Sequence, residues 1–166
     1  MPVMDFEAEA RANPVDLVER LAAIKNWAFE RSGDGEITLS IKGLWTDYHI
    51  SFQWMTELEA LHLACAFEFK VPENRRVEVL KLLSIINEQL WVGHFDLWSE
   101  EGMVMYRHAL LLAGGAVASG RQCEAQLDQA LEAAERYYPA FQFVVWAGKT
   151  AREAIDAAMF ETVGEA

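Results

Sequence analysis

The chain has 166 residues, 52% of them hydrophobic, with a formal net charge of −12 at pH 7 and a pI near 4.7. That length holds one well-buried core and makes one domain the default, while the acidity argues against nucleic acid or an anionic membrane as partner. The longest uncharged apolar run, residues 109–118, is well short of the roughly 18–20 residues of a membrane-spanning helix, and the opening MPVMDFEAEAR lacks the apolar block of a secretory signal, so a soluble cytoplasmic protein is expected.

Residues 1–12 are polar and read as a flexible N-terminus, leaving a single domain over residues 13–166. Asn13-Pro14 opens a first helix, with Asn at the N-cap and Pro at N1. Leu17, Val18, Leu21 and Ile24 share a face of it, and it ends near Asn26. Four strands follow. Residues 27–32 are joined through Gly33-Asp34-Gly35 to residues 36–42, where Ile37, Leu39 and Ile41 alternate inward. In residues 44–55, Leu44, Tyr48, Ile50, Phe52 and Trp54 share one face, and Asp47, His49, Ser51 and Gln53 the other. A turn near Thr56-Glu57 leads to residues 58–71, with Leu61, Leu63, Cys65, Phe67 and Phe69 opposed to His62, Glu68 and Lys70. This patterning predicts an antiparallel sheet with one apolar face.

Pro72 opens a second helix running to about Trp91, with a stripe of Val79, Leu80, Leu82, Leu83, Ile86 and Leu90; Arg75 and Arg76 lie in its first turn, read as solvated or facing an acid. Gly93 stops it. Residues 94–99 and 103–112 form a hairpin about Glu100-Glu101-Gly102. Ser119-Gly120-Arg121-Gln122 is a capping box for a third helix, with Cys123, Leu127, Leu131, Ala134 and Tyr138 as its stripe. Helical spacing of Tyr137, Phe141, Val144, Val145 and Gly148 carries this helix past Pro139. A second capping box at Thr150 to Glu153 starts a short last helix. The expected fold is α+β: an antiparallel sheet of five to six strands flanked by helices, in the order α-β-β-β-β-α-β-β-α(-α).

No residue set spells out a reaction. Residues 115–122 place a glycine loop between strand and helix, but Arg121 and Gln122 stand where a phosphate loop needs Lys and Ser or Thr. Cys65 and Cys123 have no metal-ligand spacing and read as reduced thiols. His49 and His62, near Asp47 and Glu68, fall on the polar face of one hairpin; if the turn lies at Thr56-Glu57, Ser51 faces His62 with His49 on the diagonal. Two such histidines and a carboxylate could ligate zinc, although histidines on a half-exposed sheet face are commoner. His94, Asp96 and Arg107 share a face of the second hairpin and read as a cross-strand charge pair. Trp45, Trp98, Met103 and Met105 lie among polar strand positions, a composition of contact surfaces. The partner-binding candidates are therefore Trp45, His49, His62, His94, Trp98, Met103, Met105 and Arg107. No catalytic, cofactor or metal residue is assigned.

The stretch WTDYHISFQW, the helix with LSIINEQLW, the run GHFDLWSEEG followed by RHALLLAGG, and ERYYPAFQFVVWAGK with the closing ETVGEA together resemble the YbjN-domain family, from about residue 14 onward. That family carries the description of a bacterial sensory transduction regulator. The resemblance implies a fold like that of type III secretion chaperones, which are small, acidic, non-enzymatic homodimers that bind an extended or amphipathic segment of a protein partner. The expectation is a protein-binding module, chaperone-like or regulatory, acting as a homodimer without cofactor. The alternative is a small-ligand or metal-binding sensor using the His-bearing sheet face.

Overall fold

The computed structural model describes residues 13–164, so the expected flexibility of residues 1–12 lies outside the described residues. The elements are α1 (Pro14–Lys25), β1 (Ala28–Arg31), β2 (Glu36–Lys42), β3 (Asp47–Met55), β4 (Ala60–Lys70), a 3-10 turn (Glu73–Arg75), α2 (Arg76–Gln89), β5 (His94–Trp98), β6 (Met103–Leu111), α3 (Gly120–Val145) and α4 (Ala151–Gly164). The six strands form one antiparallel sheet in the order β1-β2-β3-β4-β6-β5. The α+β fold and element order are those expected, and no helix among the described residues is long and apolar enough to cross a membrane.

The period-2 alternation decides which face is covered. Ile37, Leu39, Tyr48, Ile50, Phe52, Leu61, Leu63, Cys65, Phe67, Phe95, Val104 and Tyr106 are buried together. Helix α1 lies over β1, β2 and β3, α3 over β4 and β6, and α2 beside β5; α4 packs on α2 and α3. Phe67 centres the core, its ring 5.1 Å from Tyr138 and 5.5 Å from Phe141, both edge-on, and 6.0 Å from Phe95. Each buried ring of this kind contributes about 1.5–3 kcal/mol through the area it removes from water.

Local chemistry sets the helix ends. The Asn13 side chain accepts from the Val15 amide at 3.0 Å, and α1 closes with Asn26 in the left-handed region. Both halves of the Ser119–Gln122 capping box are made, at 3.1 and 2.8 Å. The second helix starts later than expected, after the 3-10 turn, and Leu80 is 53% exposed instead of joining its core stripe. Arg75 and Arg76 are half-buried, and their guanidinium groups bond backbone carbonyls. Arg75 donates to the carbonyls of Val144 (2.9 Å) and Lys149 (2.6 Å), where a cation complements the C-terminus of α3, and Arg76 donates to the Ser99 carbonyl.

Helix α3 passes through Pro139 without ending. Proline lacks the N–H that would bond the carbonyl four residues back, that of Glu135. The Trp45 indole Nε1 supplies the missing donor, at 3.0 Å from the Glu135 carbonyl oxygen. The Glu135 carboxylate accepts from the Leu44 amide (2.6 Å) and from the Tyr48 hydroxyl (3.2 Å). Trp45 is thus packed against the core and bonded inward, which corrects its expected role as an exposed anchor. Leu44 is 70% exposed, since the chain bends there and β3 starts only at Asp47.

Replacing Trp45 by Phe keeps the ring but leaves the Glu135 carbonyl without its donor. Denaturant unfolding should show a loss of about 1 kcal/mol, the cost of a lost hydrogen bond at a half-buried carbonyl. Gly43→Ala should lose at least as much, because its Cβ would stand 2.5 Å from the Glu135 carboxylate and 2.7 Å from the Thr46 carbonyl oxygen. Unchanged unfolding midpoints for both would refute this account of the turn.

Candidate functional site

The face of the sheet away from the helices is built in cross-strand rows. One row is Thr38–Ser51–Ala64–Arg107–His94, and the next is Ser40–His49–Ala66–Met105–Asp96. Apart from His49, small residues occupy β2, β3 and β4 in these rows, while the long side chains stand on β6 and β5. Seven of the eight candidate residues lie on this face; Trp45 does not.

The β3–β4 register differs from the one assumed for the two histidines. Met55 pairs with Ala60 and the turn between them takes four residues, closed by Glu59 in the left-handed region. The pairing slides by two residues: His62 faces Gln53, and His49 faces Ala66. Along β4 the two histidines are therefore about 13 Å apart, at ~3.3 Å per residue. His49 instead pairs with the Glu68 carboxylate at 2.7 Å and approaches Ser40 Oγ at 3.3 Å. The converging zinc geometry is absent, and among the described residues no group of three or more His, Cys, Asp or Glu could hold a metal ion.

Arg107 organises the other end of the face. Its Nε donates to His62 Nε2 at 3.2 Å and its Nη1 to Asp96 at 3.2 Å, and its guanidinium lies 6.0 Å from the Trp98 ring centre. His62 Nε2 must carry a lone pair to accept that bond. Burial, then Arg107, His94 and His108, hold the His62 pKa below its ordinary value. Trp98 is 44% exposed, and Met103 is half-buried. Met105 is only 4% exposed, correcting its expected exposure: it stands opposite Ala66 on an interior strand, where the small neighbour leaves room for the thioether chain to lie against the sheet.

The sheet face turns a corner at the end of β6. Strand β5 begins at His94, so β6 runs on beyond it toward α3. A depression of about 270 Å³ forms there, lined by His62, Gly93, His94, Arg107, His108 and Ala109. His108 also lines an apolar cavity of about 280 Å³ between β6 and α3, with Val92, Leu110, Ala125 and Gln126. That cavity shares Val92 and Gln129 with a third of about 170 Å³, which shares Gln89, Arg136 and Tyr137 with a fourth of about 220 Å³ reaching Ile155 and Met159 of α4. The four make one groove. Its floor on α3 is a stripe at helical spacing: Gln122, Ala125, Gln126, Gln129, Glu132, Ala133, Arg136 and Tyr137. From Gln122 to Arg136 that stripe is about 21 Å long, enough for roughly six extended residues.

The opposite wall is the segment 90–93. Tyr106 donates its hydroxyl to the Val92 carbonyl at 2.7 Å. The Asn87 side chain bonds both the amide (2.9 Å) and the carbonyl (3.1 Å) of Phe95. Gly93 has φ 72, and a Cβ there would fall 2.8 Å from the Arg107 carbonyl oxygen. On this pinned segment Trp91 is 100% exposed. In the adjoining cavity Gln126, 4% exposed, donates to the Leu61 carbonyl at 3.1 Å, while its Oε1 and His108 Nδ1 have no hydrogen-bond partner among the described residues. Trp91, Val92 and Gln126 were not among the sequence candidates. The signal was present in Gln122, Gln126 and Gln129, polar residues spaced by three and four beside the core stripe.

The two remaining motifs carry no site. Residues 115–122 form a loop ended by the capping box, and both cysteines are buried, with burial and then Glu135 pushing the Cys65 thiol up to about 12.

The model of the YbjN family, described as "Putative bacterial sensory transduction regulator", matches residues 14–143. Among solved structures, the chain is similar to one in the ExsC–ExsE complex (18% identity, 80% of this chain and 93% of that one, TM-score 0.58). It is similar to a chain of the HopA1–SchA chaperone–effector complex (10%, 70% and 86%, TM-score 0.51). It is also similar to YbjN from E. coli (10%, 74% and 89%, TM-score 0.51). At these identities the likeness shows the fold, which is type III secretion chaperone-like. No curated protein matches the chain.

The imidazoles at the groove's end make stability depend on pH. Burial is the first cause lowering the pKa of both His62 and His108 in the folded chain. The unfolded chain then binds more protons as pH falls through the ordinary histidine range, so stability declines from about pH 7.5 toward pH 5.5. The double variant His62→Gln, His108→Gln should show a flatter profile over that window by denaturant titration. An unchanged slope would contradict the assignment.

Proposed function

The chain belongs to the YbjN family, and from that premise we propose that it is a protein-binding module, chaperone-like or regulatory, which takes an extended segment of its partner into the groove along α3. The observation that carries this reading is Trp91, fully exposed on a wall pinned by Tyr106 and Asn87. Leaving an indole in water is unfavourable, and rigidly held aromatics are the residues that anchor interfaces. The groove offers side chains suited to contact and hydrogen bonding, Val92, Leu110 and three glutamines, and the module acts without catalysis. The fold is shared with chains from the ExsC–ExsE complex and from the HopA1–SchA chaperone–effector complex, which supports a protein ligand here. The chain acts in the cytoplasm, as a homodimer. Val77 (64% exposed) and Leu80 (53%), one turn apart on α2 and away from the groove, support a self-contact on that helix.

His94, His62 and Arg107 line the groove's sheet end, and Trp98, beside Arg107 with Met103 opposite it in register, stays with them within the proposed partner surface; His49, paired with Glu68 on β3, lies farther off. The zinc or small-ligand alternative loses its stated basis once His49 and His62 are separated.

Trp91→Ala should unfold within about 0.5 kcal/mol of the wild type, because the side chain is free of the core. It should weaken binding to the co-purifying partner about 30-fold, the loss of an anchor worth ~2 kcal/mol. Binding left intact would remove the groove from the function. Leu80→Asp should convert a dimer to monomer in sedimentation at micromolar concentration without loss of fold; a wild type that sediments as monomer would refute the homodimer.

A further inference from the structure

The groove has chemically different ends, and one end suits a particular part of a partner. Resting on the protein-binding reading above, we propose that the depression around Arg107 receives the C-terminal carboxylate of the partner's segment, with its last side chain in the apolar cavity beyond His108.

Charge is the first argument. In a chain of net charge −12, three of the four histidines and one arginine meet in a depression that no carboxylate lines. The acid nearest in register is Asp96, and it is engaged by Arg107 Nη1. Arginine has five N–H donors in a fork matched to carboxylate, and the bonds to His62 and Asp96 account for two of them here. No acidic residue of α3 or of segment 90–93 faces the depression. A carboxylate placed there would meet Arg107, His62 and His94 from β6, β4 and β5, and His108 from the inner side of β6.

The adjoining cavity supplies the second argument. Val92, Leu110 and Ala125 give it apolar walls, with a volume of about 280 Å³. Gln126 lines it, 96% buried by its 4% exposure, with Oε1 lacking a donor. Its amide cannot be turned around to relieve this, because Nε2 already donates to the Leu61 carbonyl. A terminal residue of a peptide brings an apolar side chain, a backbone N–H and a carboxylate within one residue's reach. The N–H is the donor Gln126 Oε1 lacks. A free alkyl carboxylate brings no such donor, and an internal Asp or Glu brings no apolar side chain on the same residue. The rest of the segment would then run along α3 beneath Trp91 toward Arg136.

Protons reinforce the preference. Burial keeps His62 and His108 below their ordinary pKa, and a bound anion would offset the cost of charging them. Binding of a carboxylate therefore strengthens as pH falls.

The test uses a fluorescein-labelled hexapeptide, Gly-Ser-Gly-Ser-Val-Leu, as the free acid and as the C-terminal amide, with unlabelled hexanoate as competitor and anisotropy as readout. The free acid should bind the intact chain and shift the imidazole NMR signals of His62, His94 and His108. The amide should bind about ten-fold or more weakly, and binding should tighten from about pH 7.5 to about pH 6. Arg107→Gln should abolish the difference between acid and amide. His94→Gln, at an exposed position, should reduce it with the fold intact. Equal binding of acid and amide overturns the proposal, and so does displacement by hexanoate at the concentration at which the free peptide itself displaces. If the free-acid peptide fails to bind while a partner still binds in a Trp91-dependent way, the terminus assignment falls and the protein-binding reading stands. If neither binds, both fall.

Discussion

Helix α3 touches every other helix and two strands of the sheet, so the architecture depends on that helix crossing Pro139 intact. The proline removes one N–H, and leaving that half-buried carbonyl bare would cost on the order of 1 kcal/mol. Trp45, from the β2–β3 turn ninety residues earlier, covers the carbonyl, and Glu135 returns the bond through the Leu44 amide and the Tyr48 hydroxyl. A local defect in a helix thereby becomes the link that fixes the sheet against its helical layer. Burial and the neighbouring Glu135 raise the Tyr48 pKa, which keeps that hydroxyl a donor.

Because all four helices gather on one side, the chain presents two kinds of free surface. The bare sheet face is shallow, with Ser51, Ala64 and Ala66 at its middle and charge pairs at its margins. Exposed pairs such as His49–Glu68 contribute little to stability and make a weak docking surface. The groove beside α3 differs, since it combines a rigid wall, an exposed indole and buried polar atoms that no described residue satisfies. Such atoms cost free energy in the empty protein that a bound segment can recover. This asymmetry favours the groove over the sheet face as the contact surface.

Much of this was legible in the residues. Alternation from Ile37 to Phe69 determined which sheet face is covered, and both the Asn13 cap and the Ser119 box mark real helix starts. The chain pattern could not reveal what depends on partners distant in sequence. Trp45 looked exposed by alternation because its bond is to a backbone atom of a helix that the strand pattern does not contain. The register of His49 and His62 hung on a turn of four residues where two were assumed, and a slide of two leaves every side chain on its own face, so the hydrophobic pattern could not detect it. Arg75 and Arg76 found carbonyls at the ends of other elements, an attachment with no signature in sequence. The groove itself arises where the short β5 stops and β6 continues, a length mismatch that appears only once strands are paired.

The most direct measurement of the central claim is amide hydrogen exchange of the chain alone and bound to its co-purified partner. The account predicts new protection in segment 90–93 and in the Gln122–Arg136 stretch of α3, with the amides of β1 and β2 unchanged. Protection confined to β1–β3, with segment 90–93 and α3 exchanging as in the free chain, would contradict it.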